Sequence, residues 1–155
     1  MEPSGMKVFE GIDDLISAVG EHLGYSEWHT VTQEQINQFA KATGDNQWIH
    51  IDPEEAAKGP YGTTIAHGYL TLSLVPKFVW EIYDVKGVSM GVNYGSDRLR
   101  FPAPLPVNSS IRGGAELLSV RRTAHGCHVT TRVTVERDTG GKPVCVVDTL
   151  SLFMT

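Results

Sequence analysis

Several protein classes are excluded by what this 155-residue chain has little of. It holds only two cysteines, Cys127 and Cys145. A disulfide-stapled scaffold or a cysteine zinc site needs more of them, at metal-like or framework spacings. The two lie in neighbouring predicted strands around the turn Asp138–Gly141, and a symmetric hairpin sets Cys145 opposite Thr134, not Cys127. They read as two small, buried, unpaired residues. No run of lysine or arginine occurs, and 13 basic residues against 18 acidic ones give a formal net charge of −5. Nucleic acid is therefore not an expected partner, because phosphate neutralisation needs a basic face. No apolar stretch reaches membrane-spanning length. The start, Met-Glu-Pro-Ser-Gly, lacks the basic and apolar regions of a signal peptide. A cytoplasmic protein with no membrane partner is expected. Ser73 and Ser96 lack the glycine pattern of a nucleophile elbow, so serine hydrolysis has no support.

What is present suits one domain over residues 1–155. The hydrophobic fraction is 41% and the charged fraction 20%, and a chain of this size buries roughly 70% of its unfolded surface, enough for one core. Leu15, Ile16, Val19 and Leu23 recur at helical spacing and predict a helix from about Ile12 to Leu23. An extended piece, Trp28 to Val31, follows. Thr32 and Gln35 form a capping box before a helix that sets Ile36, Phe39, Ala40 and Thr43 on one face and ends at Gly44. Asp45 to Thr64 is polar and expected to be mostly irregular. Within it, Asp52-Pro53-Glu54-Glu55 starts a short helix that ends near Lys58. From His67 to Tyr83 the chain is apolar almost all round, which predicts a buried helix, kinked or divided at Pro76.

The period then changes to two. Val129, Thr131, Val133 and Val135 alternate with Thr130, Arg132, Thr134 and Glu136. Val88–Phe101, Ile111–Thr123, Cys127–Arg137 and Pro143–Met154 read as four strands, joined in antiparallel pairs by the turns at 123–126 and 138–141. Pro102, Pro104 and Pro106 end the first of them. The pattern is α+β: one apolar helix and an antiparallel meander.

Three segments concentrate reactive groups. Asp45 and His50 stand five residues apart in a loop. Neutral histidine accepts a proton near pH 7, and a carboxylate can orient the same water. The alternative reading is that Asp45 caps a turn and His50 satisfies a backbone carbonyl. His67-Gly68 opens the apolar helix, where free N–H groups and a missing side chain favour an oxyanion. Close helix–sheet packing, with His67 as a partnered core histidine, is the plainer reading from these residues alone. His50, Asp52 and His67 match no strong metal spacing, so no metal is assigned. Arg98 and Arg100, with Lys58, Lys77 and Lys86, are open candidates for anion contacts or for a solvated face.

Taken together, Gly44-Asp45, Ile49-His50, Asp52-Pro53, Gly62 and Ile65-Ala66-His67-Gly68 resemble the hydratase motif of the MaoC-like dehydratases, also called R-specific enoyl-CoA hydratases. The likeness extends over most of the chain, through Arg100-Phe101-Pro102 and Pro104–Val107. It implies a hot dog fold, a sheet wrapped around a long central helix, usually paired into a homodimer. It implies reversible addition of water to a trans-2-enoyl-CoA, giving the (R)-3-hydroxyacyl-CoA. Asp45 and His50 would hold the water, with Gly68, His67 and Gln47 around the thioester. No cofactor is implied, since coenzyme A belongs to the substrate. Gln47-Trp48 stands where many members read Asn-Pro and marks a branch of the family. A hot dog thioesterase is the alternative enzyme, but the central helix carries no acid before Glu81. A non-catalytic acyl-CoA-binding protein is the other alternative.

Overall fold

Two periodicities divide the elements. The computed structural model describes residues 5–155, and the start of the chain, read above for its lack of a signal sequence, lies outside them. The first half runs β1 (Lys7–Phe9), α1 (Ile12–Ser17), β2 (His22–Tyr25), β3 (His29–Thr30), α2 (Gln33–Thr43), α3 (Trp48–Ile51), α4 (Pro53–Ala57) and α5 (Gly68–Ile82). The second half adds β4 (Tyr83–Val85), β5 (Met90–Arg100), β6 (Ser110–Thr123), β7 (Gly126–Arg137) and β8 (Cys145–Met154).

The helix expected to reach Leu23 stops at Ser17. Gly20 takes a left-handed φ of 94° and donates its N–H to the Leu117 carbonyl at 2.8 Å. That glycine turns the chain onto the sheet, so Leu23 is buried from a strand, β2, not from α1. The Thr32 cap forms, its hydroxyl accepting the Gln35 N–H at 3.2 Å. The reciprocal half of the box does not: Gln35 Oε1 instead meets His29 Nε2 at 3.0 Å. Gly44, at φ 84°, closes α2, and Asp52 caps α4 through the Glu55 N–H at 3.1 Å. The segment expected to be irregular holds one further turn of helix, α3.

The long helix α5 runs unbroken through Pro76, which corrects the expected division. The proline lies on the exposed side, where the carbonyl deprived of a donor is not shut into the core. The helix is also not buried all round. Leu70, Thr71, Val75, Phe78 and Ile82 face inward, while Tyr69 and Trp80 are 65% and 74% exposed.

The main sheet has the order β2-β6-β7-β8-β5, with β3 also on β6. The two tight hairpins form as expected, but the strands are not a simple meander: β5 pairs with β8, from Met90↔Met154 to Arg100↔Val146. The proline-bearing connection after β5 is the cause. It is tied to the loop before α5 by Ala66 N–H to Leu105 O at 2.8 Å and Val107 N–H to Thr64 O at 3.0 Å, then to β3's flank by Asn108 N–H to Val31 O at 2.7 Å. The chain thus crosses past β8 and β7 before β6 begins. The β7–β8 register is one residue off the symmetric expectation, since Cys145 faces Val135 and Thr134 faces Val146. Gly140 and Gly141, both at positive φ, take up the offset. Cys127 faces Phe153 in this ladder, and both thiols are free and buried. Burial raises both, Cys145 to about 11.

One face of the sheet buries Val129, Val133, Val135 and Val147 in the same core as Leu70, Val75 and Phe78 of α5. At the crossing, Phe78 lies on Gly113, where an added Cβ would stand 2.9 Å from the Phe78 Cβ. The missing side chain lets the helix axis approach the sheet. This is the hot dog arrangement that the sequence resemblance implies.

Candidate active site

The end of α2, the single turn α3 and the start of α5 meet in one place. Left-handed Gly44 ends α2 and throws Asp45 out of the helix, leaving it exposed. Turn α3 then folds the chain back, so that His50 is only 7% exposed. His50 Nδ1 lies 2.7 Å from the Ile65 carbonyl. A carbonyl can only accept, so Nδ1 carries the proton and Nε2 holds a lone pair. Burial lowers the His50 pKa, and neighbouring His67 lowers it further, against the Ile65 hydrogen bond and the Asp45 charge, which raise it. The ring is therefore neutral near pH 7, with its basic nitrogen available.

His67, 2% exposed, caps the site from below. Its ring stacks on His50 at 3.9 Å between centroids and packs on Phe39 at 4.9 Å. His67 Nε2–H donates to the Asp45 backbone carbonyl at 3.0 Å, which holds the Asp45 loop over His50. His67 Nδ1 is buried without a partner. Asp45, His50 and His67 bring ligand atoms within 4.8 Å of one another. The set resembles a metal site in spacing, yet His50 Nδ1 and His67 Nε2 are already engaged by backbone carbonyls.

Gly68 is the first residue of α5. Among the described residues its N–H meets no acceptor, as the helix start requires. The place of its missing side chain is filled by Phe101, whose Cδ2 and Cε2 would stand 2.9 Å from an added Cβ. Phe101 also meets Tyr69 edge-on at 6.2 Å and is 40% exposed. Close packing and a free donor thus coexist at this glycine.

Of the residues read from sequence, Asp45, His50, His67 and Gly68 come together. Gln47 is exposed, its amide caps nothing at α3, and its carbonyl accepts the His50 N–H at 3.0 Å. Trp48 lies outside the cluster over Gly59, whose missing Cβ would be 2.9 Å from Trp48 Cζ3, so its bulk is absorbed there. The holding role of Gln33 escaped sequence reasoning. Gln33 Nε2–H donates to the His50 carbonyl at 2.7 Å, and Gln33 Oε1 accepts the Thr64 hydroxyl at 2.5 Å. It fastens the His50 segment and the approach to α5 onto α2. A glutamine in a first helical turn carries no local signal of that duty.

The lysines considered for anion contacts each have an acid: Lys58 with Glu55 at 3.6 Å, Lys77 with Glu81 at 2.6 Å and Lys86 with Glu10 at 3.4 Å.

Comparison with known proteins adds three findings. Residues 14–139 match the family described as "MaoC like domain". The chain is 49% identical over 150 residues, 96% of its length and 99% of the relative's, to 3-hydroxyacyl-thioester dehydratase Z of Mycobacterium tuberculosis (strain ATCC 25618 / H37Rv). Among solved structures it resembles a monoamine oxidase regulatory protein from Archaeoglobus, with TM-score 0.78, 24% identity and coverage of 98% and 99% of the two chains. It also resembles an R-hydratase from Pseudomonas aeruginosa, with TM-score 0.72, 21% identity and coverage of 88% and 81%.

Proposed function

The chain belongs to the MaoC-like domain family, and from that premise we propose that it is a hydro-lyase of acyl thioesters, a single hot dog domain that interconverts trans-2-enoyl-CoA and (R)-3-hydroxyacyl-CoA. The observation that carries the reading is His50: buried, neutral, its Nδ1–H donated to Ile65 at 2.7 Å, and within 4.8 Å of Asp45. A water held between Asp45 and His50 Nε2 gives its proton to the imidazole as its oxygen bonds to C3. The double bond moves toward the thioester, and the negative charge reaches the carbonyl oxygen, where the free Gly68 N–H at the start of α5 meets it. C2 then takes the proton from the imidazolium, so atoms and charge balance and nothing besides water is consumed. No cofactor is required by these steps. His67 acts by position, holding the Asp45 loop through its carbonyl.

Two further features support the reading. The acid that a thioesterase would need on the central helix is absent until Glu81, which is paired with Lys77 at 2.6 Å. A groove of about 560 Å³ runs between α5 and β5, lined by apolar groups such as Leu72, Val79, Val88 and Phe153. Exposed Trp80, Met90 and Val92 also line it, and this apolar surface supports pairing into a homodimer.

The test is product analysis. Incubation with a trans-2-enoyl-CoA is expected to yield the (R)-3-hydroxyacyl-CoA without free thiol. Thiol release would move the protein to the thioesterases, and an unchanged substrate, on coenzyme A and on carrier protein alike, would reject the hydro-lyase.

A further inference from the structure

The catalytic groups leave one cluster of strong charges unexplained. Arg98, Arg100, Arg132, Val146 and Asp148 line a second cavity of about 250 Å³. Asp148 is only 5% exposed and is held two-pronged by Arg132, Nε–H to Oδ1 at 2.8 Å and Nη2–H to Oδ2 at 3.1 Å. That pair neutralises itself. Arg98 and Arg100 have no carboxylate partner among the described residues. On a chain of net charge −5, two arginines without an ion pair line one hollow.

Their placement is built into the backbone. The β5–β8 ladder slips between Asp97 and Arg100, and Arg98 in this bulge has φ 53°. A left-handed residue with a long side chain is strained, and such strain persists where the surroundings impose it. The bulge lets Arg98 and Arg100 share the cavity, with Arg100 Nη1 at 3.4 Å from the Arg98 carbonyl. Arg100 is also the last residue of β5 and directly precedes Phe101, which covers Gly68. One step of chain thus separates Arg100 at the cavity from the ring that covers Gly68.

We infer that Arg98 and Arg100 form an anion site for a phosphate of the thioester's carrier arm, with Arg132 locked by Asp148 as its floor. The planar, doubly donating guanidinium suits phosphate oxygens. The inference rests on the proposed thioester substrate and names the part that holds its handle. Coenzyme A and the prosthetic arm of a carrier protein both carry a phosphate next to pantetheine, and coenzyme A adds a 3′-phosphate.

Calorimetric titration of the whole protein with pantetheine, 4′-phosphopantetheine, dephospho-coenzyme A and coenzyme A tests it, in wild type, Arg100→Gln and Arg98→Asn/Arg100→Gln. Asparagine tolerates the left-handed backbone, and Arg132 is left in place because its removal would strand the buried Asp148. The phosphate-bearing ligands are expected to bind the wild type more tightly than pantetheine. The double variant should lose about tenfold or more for them, the size of a charged hydrogen bond, and nothing for pantetheine. Tighter binding of coenzyme A than of dephospho-coenzyme A would assign the site to the 3′-phosphate. Equal binding of all three phosphate-bearing ligands would assign it to the phosphate shared with carrier proteins. Coenzyme A bound equally by wild type and Arg100→Gln, or no more tightly than pantetheine, would overturn the inference. Hydration of a phosphate-free N-acetylcysteamine enoyl thioester reports on the proposed reaction alone, so the two failures are distinguishable.

Discussion

At the scale of single residues, the chemistry of the site turns on which nitrogen of each histidine is free. His50 has its Nδ1–H engaged by Ile65 and is held neutral by burial. Its pKa lies below the ordinary 6.5, so the acid limb of kcat/KM should fall below pH 6.5, and a limb well above that value would contradict the assignment. Stability follows with the same sign. Between the lowered folded value and 6.5, the unfolded chain binds the proton more readily, so stability drops as pH falls through this window. Thermal melts at pH 7 and pH 5 should therefore differ less in His50→Gln than in wild type. Gly68→Ala should reduce turnover by more than it reduces stability, because its methyl meets the half-exposed Phe101 ring, which can yield, beside the proposed oxyanion donor. An unchanged kcat in that variant would argue that Gly68 serves packing alone. Much of this site was readable in the sequence because Asp45, His50, His67 and Gly68 are polar or small residues in a short span. Gln33 and Phe101 were not, since their contacts reach 17 and 33 positions along the chain (Gln33–His50, Gly68–Phe101).

Among the elements, the helix–sheet crossing and the β7 start are the points of least tolerance. Phe78 is fully buried on Gly113, and Phe78→Ala is expected to cost about 3–5 kcal/mol in denaturant unfolding. At Gly126, φ is 153° and an added Cβ would lie 1.7 Å from the Phe153 carbonyl oxygen. Gly126→Ala should cost more than about 4 kcal/mol or prevent folding. Gly44→Ala, whose Cβ enters open space at φ 84°, should cost only about 1–2 kcal/mol. Equal melting temperatures for the Gly126 and Gly44 variants would contradict this. β7 was the most legible strand because one buried face imposes period two on it. β2 was hidden, because Val19 and Leu23 fall by chance at helical spacing while Gly20 reverses the chain. The β5–β8 pairing was not legible either, since it is settled by hydrogen bonds of the 101–109 connection to distant segments.

On the scale of the whole molecule, one side remains open: the outer face of α5 and the first half of β5, with Trp80, Met90, Val92 and Tyr94 exposed. β5 is an edge strand, and an uncovered apolar edge invites pairing. Light scattering is expected to give a dimer for the wild type and a monomer for Trp80→Glu/Val92→Lys; a monomeric wild type at micromolar concentration would contradict the homodimer. The central claim, that Asp45 and His50 activate one water for a thioester, is tested most directly by comparing wild type and Asp45→Asn on a trans-2-enoyl-CoA, following loss of the conjugated thioester absorbance. The substitution removes an exposed carboxylate and keeps the backbone carbonyl that His67 grips, so the circular dichroism spectrum should be unchanged. Turnover by Asp45→Asn is expected to fall by about 10²–10⁴, the usual contribution of a positioned acid–base group. A folded Asp45→Asn protein that hydrates at the wild-type rate would contradict the account.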